Sequence, residues 1–306
     1  MNDLPTELWL KIIRSACLDD GSTGRALSAV SRRIRAISHD YRYQSMAVAG
    51  LRQVQHLIDV LRHSHNVGCR VEALFVEADD TNLIIQLCSI VAQTVEILTI
   101  VAADPPLDLS NLPTDCPIDL DFPRLREFTV YGQFELSRGN TFAPILERLE
   151  MQWGVAFNNI PFIDLSAVNH PNLMYTLIHH NMSLPGGGTF PPMLRLLTAM
   201  ALRVFKSQHA VSSSPQRTVA LEYVPMLASQ DVWGDMEGHH AEWMQQQESK
   251  RHSHFVFLPE VTRSDGLAHQ RWLDRVEGKG GVWALVEANV RDNVDRAGDG
   301  AASWNI

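Results

Sequence analysis

Val95-Glu96-Ile97-Leu98-Thr99-Ile100 is the stretch on which the fold turns. It is short, rich in β-branched residues and alternates enough to read as a strand. Its apolar–polar–x–apolar–x–apolar order returns in Leu125-Arg126-Glu127-Phe128-Thr129-Val130 and in Leu146-Glu147-Arg148-Leu149-Glu150-Met151. Looser versions stand at residues 71–76 and 173–178. The successive starts are 24, 30, 21 and 27 residues apart. A short strand recurring at such intervals predicts an α/β chain built either from one repeated supersecondary unit or as an ordinary α/β domain with several strands.

Helical patterns fill the intervals between the early strands. Val54, Leu57, Ile58 and Leu61 recur at i, i+3, i+4 and i+7, predicting an amphipathic helix over 51–62. Asp79-Asp80-Thr81-Asn82 offers caps for a helix running to about Gln93. Further strands are expected at 218–224 and 254–258, and a helix at 267–277 stopped by Gly278. Proline- and glycine-rich stretches at 104–122, 184–192 and 212–215 read as loops, 236–251 as polar and helix-permissive, and 291–306 as a frayed tail.

The first 43 residues read differently. Pro5 is placed to open a helix with Asp3 as its cap, and Leu8, Ile12 and Ala16 form a stripe widened by Trp9 and Ile13. That helix should end near Asp19-Asp20-Gly21. Ser22 or Thr23 then caps a second helix, whose face is Leu27, Val30, Ile34 and Ile37. A helical piece of about 45 residues cannot cover its own apolar stripes, so Leu4, Pro5, Leu8, Ile12 and Val30 are expected to stay exposed until a partner covers them.

The bulk composition narrows the function classes. Hydrophobic residues make up 45% and charged residues 20% of the 306, enough for a sizeable core and too apolar for a disordered chain. Net charge is −9 but uneven: residues 1–62 hold nine Lys and Arg against six Asp and Glu, leaving 17 against 29 in the remainder. That balance argues against a nucleic-acid binder, whose footprint is basic. Arg32, Arg33 and Arg35 form a tight basic cluster suited to an acidic protein partner or to a solvated helix face.

Cys17, Cys69, Cys88 and Cys116 are widely spaced and predict buried free thiols in a reducing compartment. Residues 83–95 are the longest uncharged apolar piece, too short for a membrane span, which needs roughly 20. Asp3 and Glu7 fall where a secretory leader would be basic and then apolar. A cytoplasmic or nuclear location is therefore expected.

The chain carries no motif that would mark a metal, phosphate or catalytic site. The histidine clusters His179-His180, His239-His240 and His252-x-His254 lack metal-ligand spacing. Gly186-Gly187-Gly188 and Gly278-Lys279-Gly280-Gly281 lack the lysine and hydroxyl of a phosphate loop and read as turns. Nothing spaces Ser, His and Asp as a triad. No catalytic residue, metal or cofactor is expected. Of the tryptophans, Trp153, Trp233, Trp243, Trp272 and Trp283 are expected as core or interface anchors.

Leu4-Pro5-Thr6-Glu7-Leu8, followed at the right distance by Val30-Ser31-Arg32-Arg33, resembles an F-box, the module that joins a protein to an SCF-type ubiquitin ligase. The chain departs from that pattern at Ile34, where the family often has Trp, and in its Gly-rich segment 19–24. The layout beyond it resembles large F-box families of mushroom-forming fungi, whose C-terminal parts are divergent leucine-rich-repeat-like arrays.

The resemblance implies a helical F-box over 1–48, a linker helix over 49–66, an irregular leucine-rich-repeat-like α/β solenoid over 67–290 as substrate receptor, and the tail 291–306. It implies that Leu4, Pro5, Leu8, Ile12, Leu27, Val30, Ser31 and Ile34 meet a Skp-family adaptor and, through it, a cullin-RING ligase, while the array holds an unknown substrate protein. A protein-interaction scaffold without ligase duty and an enzyme of unknown type within 67–290 are the alternatives.

Overall fold

The computed structural model describes residues 4–63, 70–102, 117–118, 121–131, 135–136, 143–153, 172–181, 218–224, 255–258 and 266–301. The loops at 184–192 and 212–215, the polar stretch 236–251, Asp3, Cys69, Cys116, Trp233, Trp243, His239, His240, His252 and His254 lie outside the described residues. The chain is mixed α/β and divides into two compact units.

The first unit opens with helices α1 (Thr6–Ala16), α2 (Ser22–Val30) and α3 (Arg32–Ser38). Strand β1 (Ser45–Ala49), helix α4 (Leu51–His63), strand β2 (Ala73–Ala78), helix α5 (Thr81–Val91) and strand β3 (Ile97–Ala102) follow. Two-residue strands β4 (Pro117–Ile118) and β6 (Glu135–Leu136) pair with each other on either side of β5 (Glu127–Tyr131) in sequence. β1, β2, β3 and β5 pair in chain order, all parallel, with Ser45 opposite Ala73, Ala73 opposite Ile97 and Ile97 opposite Glu127.

One backbone device starts β2, β3 and β5. The Gln44 carbonyl accepts from the N–H groups of Glu72 and Ala73 at 2.8 and 2.9 Å. The Glu72 carbonyl accepts from Glu96 and Ile97 at 2.7 and 3.0 Å, and the Glu96 carbonyl from Arg126 and Glu127 at 2.9 and 3.1 Å. Each shared carbonyl brings the next strand in at the same register, so a leading apolar residue is buried in the turn before the strand. Val71, Val95 and Leu125 hold that place. The strands therefore begin two residues later than their sequence pattern suggests.

α4 buries Val54, Leu57, Ile58 and Leu61, the four residues its spacing picked out. Read from sequence as a linker, it packs on β1, β2 and α5. Asp80 caps α5 by accepting from the N–H groups of Asn82 at 2.9 Å and Leu83 at 3.2 Å. The first unit also takes helix α6 (Leu267–Val276), which ends as Gly278 turns into the left-handed region at φ 74°. α6 sets Trp272 and Val276 against Ala73 and Phe75.

The second unit carries strands β7 (Arg148–Trp153), β8 (Tyr175–Asn181), β9 (Thr218–Val224) and β10 (Phe255–Leu258), again parallel and in chain order. The Glu147 carbonyl accepts from Met174 and Tyr175 at 2.9 and 3.1 Å, repeating the device of the first unit. Leu177 of β8 packs with Val282, Trp283 and Val286 of helix α7 (Gly281–Ala301). Arg148 meets Glu287 at 2.9 Å. The backbone of residues 291–301 is helical, where sequence suggested a frayed tail.

Candidate functional site

α1 has three kinds of side chain at its surface, and the helical repeat of about 100° per residue sorts them. Ile13 and Cys17 are buried, and Leu18 beyond the helix packs on the Ala73–Phe75–Trp272 cluster. Arg14 reaches toward Glu72 at 3.9 Å. Glu72 is also held by Arg70 at 3.0 Å and by the Gln44 amide at 2.9 Å. Arg70 continues to Glu96 at 3.2 Å, and Glu96 to Arg124 at 2.6 Å. Lys11, Arg14 and Ser15 line a cavity of about 420 Å³ whose other wall holds Gln44, Glu72 and Glu96. This side of α1 faces the sheet edge across that cavity, with Lys11, Arg14 and Ser15 still exposed.

The third side is uncovered. Leu8 and Ile12 are 44% and 51% exposed, with Leu4 at 38% ahead of them and Pro5 also exposed. Val30, at the end of α2, is 67% exposed. Ser31 is exposed, while Leu27 and Ile34 are half-buried. The structure therefore leaves Leu4, Pro5, Leu8, Ile12, Val30 and Ser31 open to solvent and draws Leu27 and Ile34 partly inward. Large side chains exposed together on a short module are the signal of an interaction surface, not of a core.

The local structure differs from the sequence expectation at two points. α2 and α3 were expected as one helix, but Ser31 is extended at φ −162° and ψ 163° and breaks it. Ser31 Oγ accepts from the Ile34 N–H at 3.1 Å and so caps α3. Arg35 ties the two pieces by donating from Nε to the Ser28 carbonyl at 2.6 Å. Neither Ser22 nor Thr23 caps α2. Asp19 does that work from outside the helix, accepting from Gly21 N–H at 2.9 Å, Ser22 Oγ at 2.8 Å and Thr23 N–H at 2.9 Å.

Burial acts to raise the Asp19 pKa, but the hydrogen bonds from Thr23, Ser22 and Gly21 outweigh it and hold the carboxyl below its ordinary value. Burial, assisted by the Asp19 charge, pushes the Cys17 thiol up.

The helical module is joined to the sheet without a gap. Ser45 Oγ donates to the Asp19 carbonyl, and Ala47 N–H donates to the Asp20 carbonyl at 3.3 Å. Gly24 of α2 lies so close to the following segment that a Cβ there would stand 2.5 Å from the Arg42 carbonyl oxygen. The Arg42 guanidinium sits 4.4 Å over the Tyr43 ring. Arg32, Arg33 and Arg35 are exposed around the break. The sequence reading missed the roles of Asp19 and Gly24. The acid at the end of a helix pattern ahead of Gly-Ser-Thr was the available signal for the first.

Among the described residues, Cys17 and Cys88 are free thiols, no group of His, Cys, Asp and Glu could hold a metal ion, and no helix is long and apolar enough to cross a membrane. No protein-family model matches the chain, and neither a curated protein nor a solved structure matches it.

Proposed function

We propose that the chain is the substrate-recognition subunit of an SCF-type ubiquitin ligase. α1, α2 and α3 dock a Skp-family adaptor through Leu4, Pro5, Leu8, Ile12 and Val30, and the strand-bearing region holds a substrate protein. The observation that carries this reading is the uncovered stripe of α1 beside a buried one. Ile13 and Cys17 anchor the helix, so Leu8 and Ile12 are free to enter a partner's groove without unfolding the module. Exposed Arg32 and Arg33, which follow Val30 and Ser31 in the chain, suit an acidic partner and would speed its approach.

The region beyond the module is read as a leucine-rich-repeat-like array. Support comes from parallel strands paired in chain order, with β2, β3 and β5 opened by a shared carbonyl and a helix after β1 and after β2. Repeats that contact mainly their neighbours build long surfaces for protein partners. The chain then performs no bond chemistry. It raises the effective concentration of a substrate lysine near the enzymes of the ligase, in the cytoplasm or nucleus.

A pull-down with a purified Skp-family adaptor tests the assignment. The unaltered chain retains the adaptor, and the double substitution Leu4→Ala, Pro5→Ala releases it. Equal retention by both chains sinks the assignment.

A further inference from the structure

The strand face beneath α6 is a buried face built with recognition chemistry. Register places Phe75 opposite Thr99 and Thr99 opposite Thr129, so the three form one row across β2, β3 and β5. All three are buried. Ala73 and Ile97 lie on the same face one pleat earlier. α6 seats Trp272 on this face with its ring 5.9 Å from Phe75, and stacks His269 on Trp272 at 5.9 Å. One helical turn after Trp272, Arg275 donates to the Thr129 hydroxyl.

A face meant only as permanent core would carry Val in place of Thr99 and Thr129, equal in size and without a hydroxyl to satisfy. Here the polar atoms are retained. Among the described residues Thr99 Oγ1, Trp272 Nε1 and His269 Nε2 are buried with no hydrogen-bond partner. Such atoms weaken the α6 contact relative to an apolar one: a ligand in place of α6 could give Thr99 Oγ1 a partner, and release of α6 returns Trp272 Nε1 and His269 Nε2 to water.

We propose that the Phe75–Thr99–Thr129 row is the partner-binding face of the first unit and that α6 is a resident ligand held there in cis. The partner it fits is a short amphipathic helix presenting an aromatic ring and, one turn later, a guanidinium, the pair that Trp272 and Arg275 present now. This deepens the substrate-receptor reading and rests on it. Because α6 is tethered, its high effective concentration keeps free segments out until a partner with better-matched polar groups arrives.

The test uses the intact chain and a fluorescein-labelled peptide of residues 266–280 as the probe. Amides of α6 are expected to exchange with solvent about 100-fold faster than those of β2 and β3, through local opening. The chains carrying Trp272→Ala or Arg275→Ala are expected to bind the peptide about 10-fold more tightly than the unaltered chain, since their internal copy competes less well. The two variants guard against one of them failing to fold, and far-UV circular dichroism reports that directly. Exchange of α6 in step with β2 and β3 overturns the proposal, as does equal peptide binding by the unaltered chain and every folded variant. Adaptor retention in the same preparations reads the α1 surface separately, so loss of this proposal and loss of the ligase reading are distinguishable.

Discussion

Ile12 and Ile13 are neighbours in the chain and opposites in the fold: Ile13 is 1% exposed and Ile12 is 51% exposed. One step along a helix turns the side chain by about 100°, enough to move it from the core to solvent. The two residues therefore separate stability from the proposed binding. Changing Ile13→Ala empties a buried site and should cost roughly 2–5 kcal/mol in urea unfolding. Changing Leu8→Asp with Ile12→Asp touches exposed positions and should leave the unfolding free energy within about 0.5 kcal/mol. The same pair should abolish adaptor retention, because charge would have to enter an apolar groove. A double variant that is stable and still binds would show that this stripe is not the docking surface.

Gly24 supports the module in another way. Its Cα faces the backbone of Arg42, and the added methyl of Gly24→Ala would meet the carbonyl oxygen at 2.5 Å and the Cα at 2.8 Å. These are backbone atoms, so no side chain can swing aside. The helix or the exit segment must shift, at an expected cost of about 1–3 kcal/mol for overpacking. Denaturant titration should show a lower midpoint with an unchanged slope. An unchanged midpoint would mean that α2 is not clamped to that segment.

Asp19 gives the module a dependence on pH. Its carboxylate is favoured in the fold, so its folded pKa lies below the unfolded value of about 3.9. Its contribution is present above that unfolded value and is lost as pH falls through the folded one. The Asp19 contribution should thus be flat from neutral pH to about 5 and fall below about pH 4. Asp19→Ala should cost on the order of 1 kcal/mol at pH 7, the size of a lost helix cap, and nothing below the folded pKa. Thermal melts of both chains across that range would show whether the gap between them closes on acidification.

Some of this fold reads directly from residue spacing. Val54, Leu57, Ile58 and Leu61 keep one helical face, and packing on a sheet buries that face in full. The break at Ser31 does not read so. Leu27, Val30, Ile34 and Ile37 keep helical period straight through it, and only the local bond from Ser31 Oγ to Ile34 N–H opposes continuation. The strand starts are displaced because burial begins before pairing. Val71, Val95 and Leu125 look like first strand residues, yet the shared carbonyls fix pairing two residues on.

α7 escapes a composition-based reading because Asp, Asn and Gly crowd its second half. Val282, Trp283, Val286 and Val290 held the missed signal, being at helical spacing and packed with Leu177 and Tyr175. Of the proposed docking surface, the exposed apolar residues were legible as unpartnered stripe. The Asp19 clamp was readable as an acid two to four residues ahead of its partners, whereas the Gly24 clamp was not, since it depends on Arg42, 18 residues on, where spacing rules have no reach.

The thiols offer a check on the core itself. Burial pushes Cys88, on α5, up to about 12, and it raises Cys17 as well. The thiolate is the reacting form, so at pH 8 native Cys88 presents almost none and is also out of reach of solvent. Iodoacetamide should leave Cys88 unlabelled in the folded chain for as long as α5 stays packed, with Cys17 labelled slowly. Both should label promptly in urea, where their pKa values return to about 8.5. Peptide mapping by mass resolves the two sites. Rapid native labelling of Cys88 would mean that α5 separates from β2 far more readily than Ile84, Leu87 and Val91, all buried, imply.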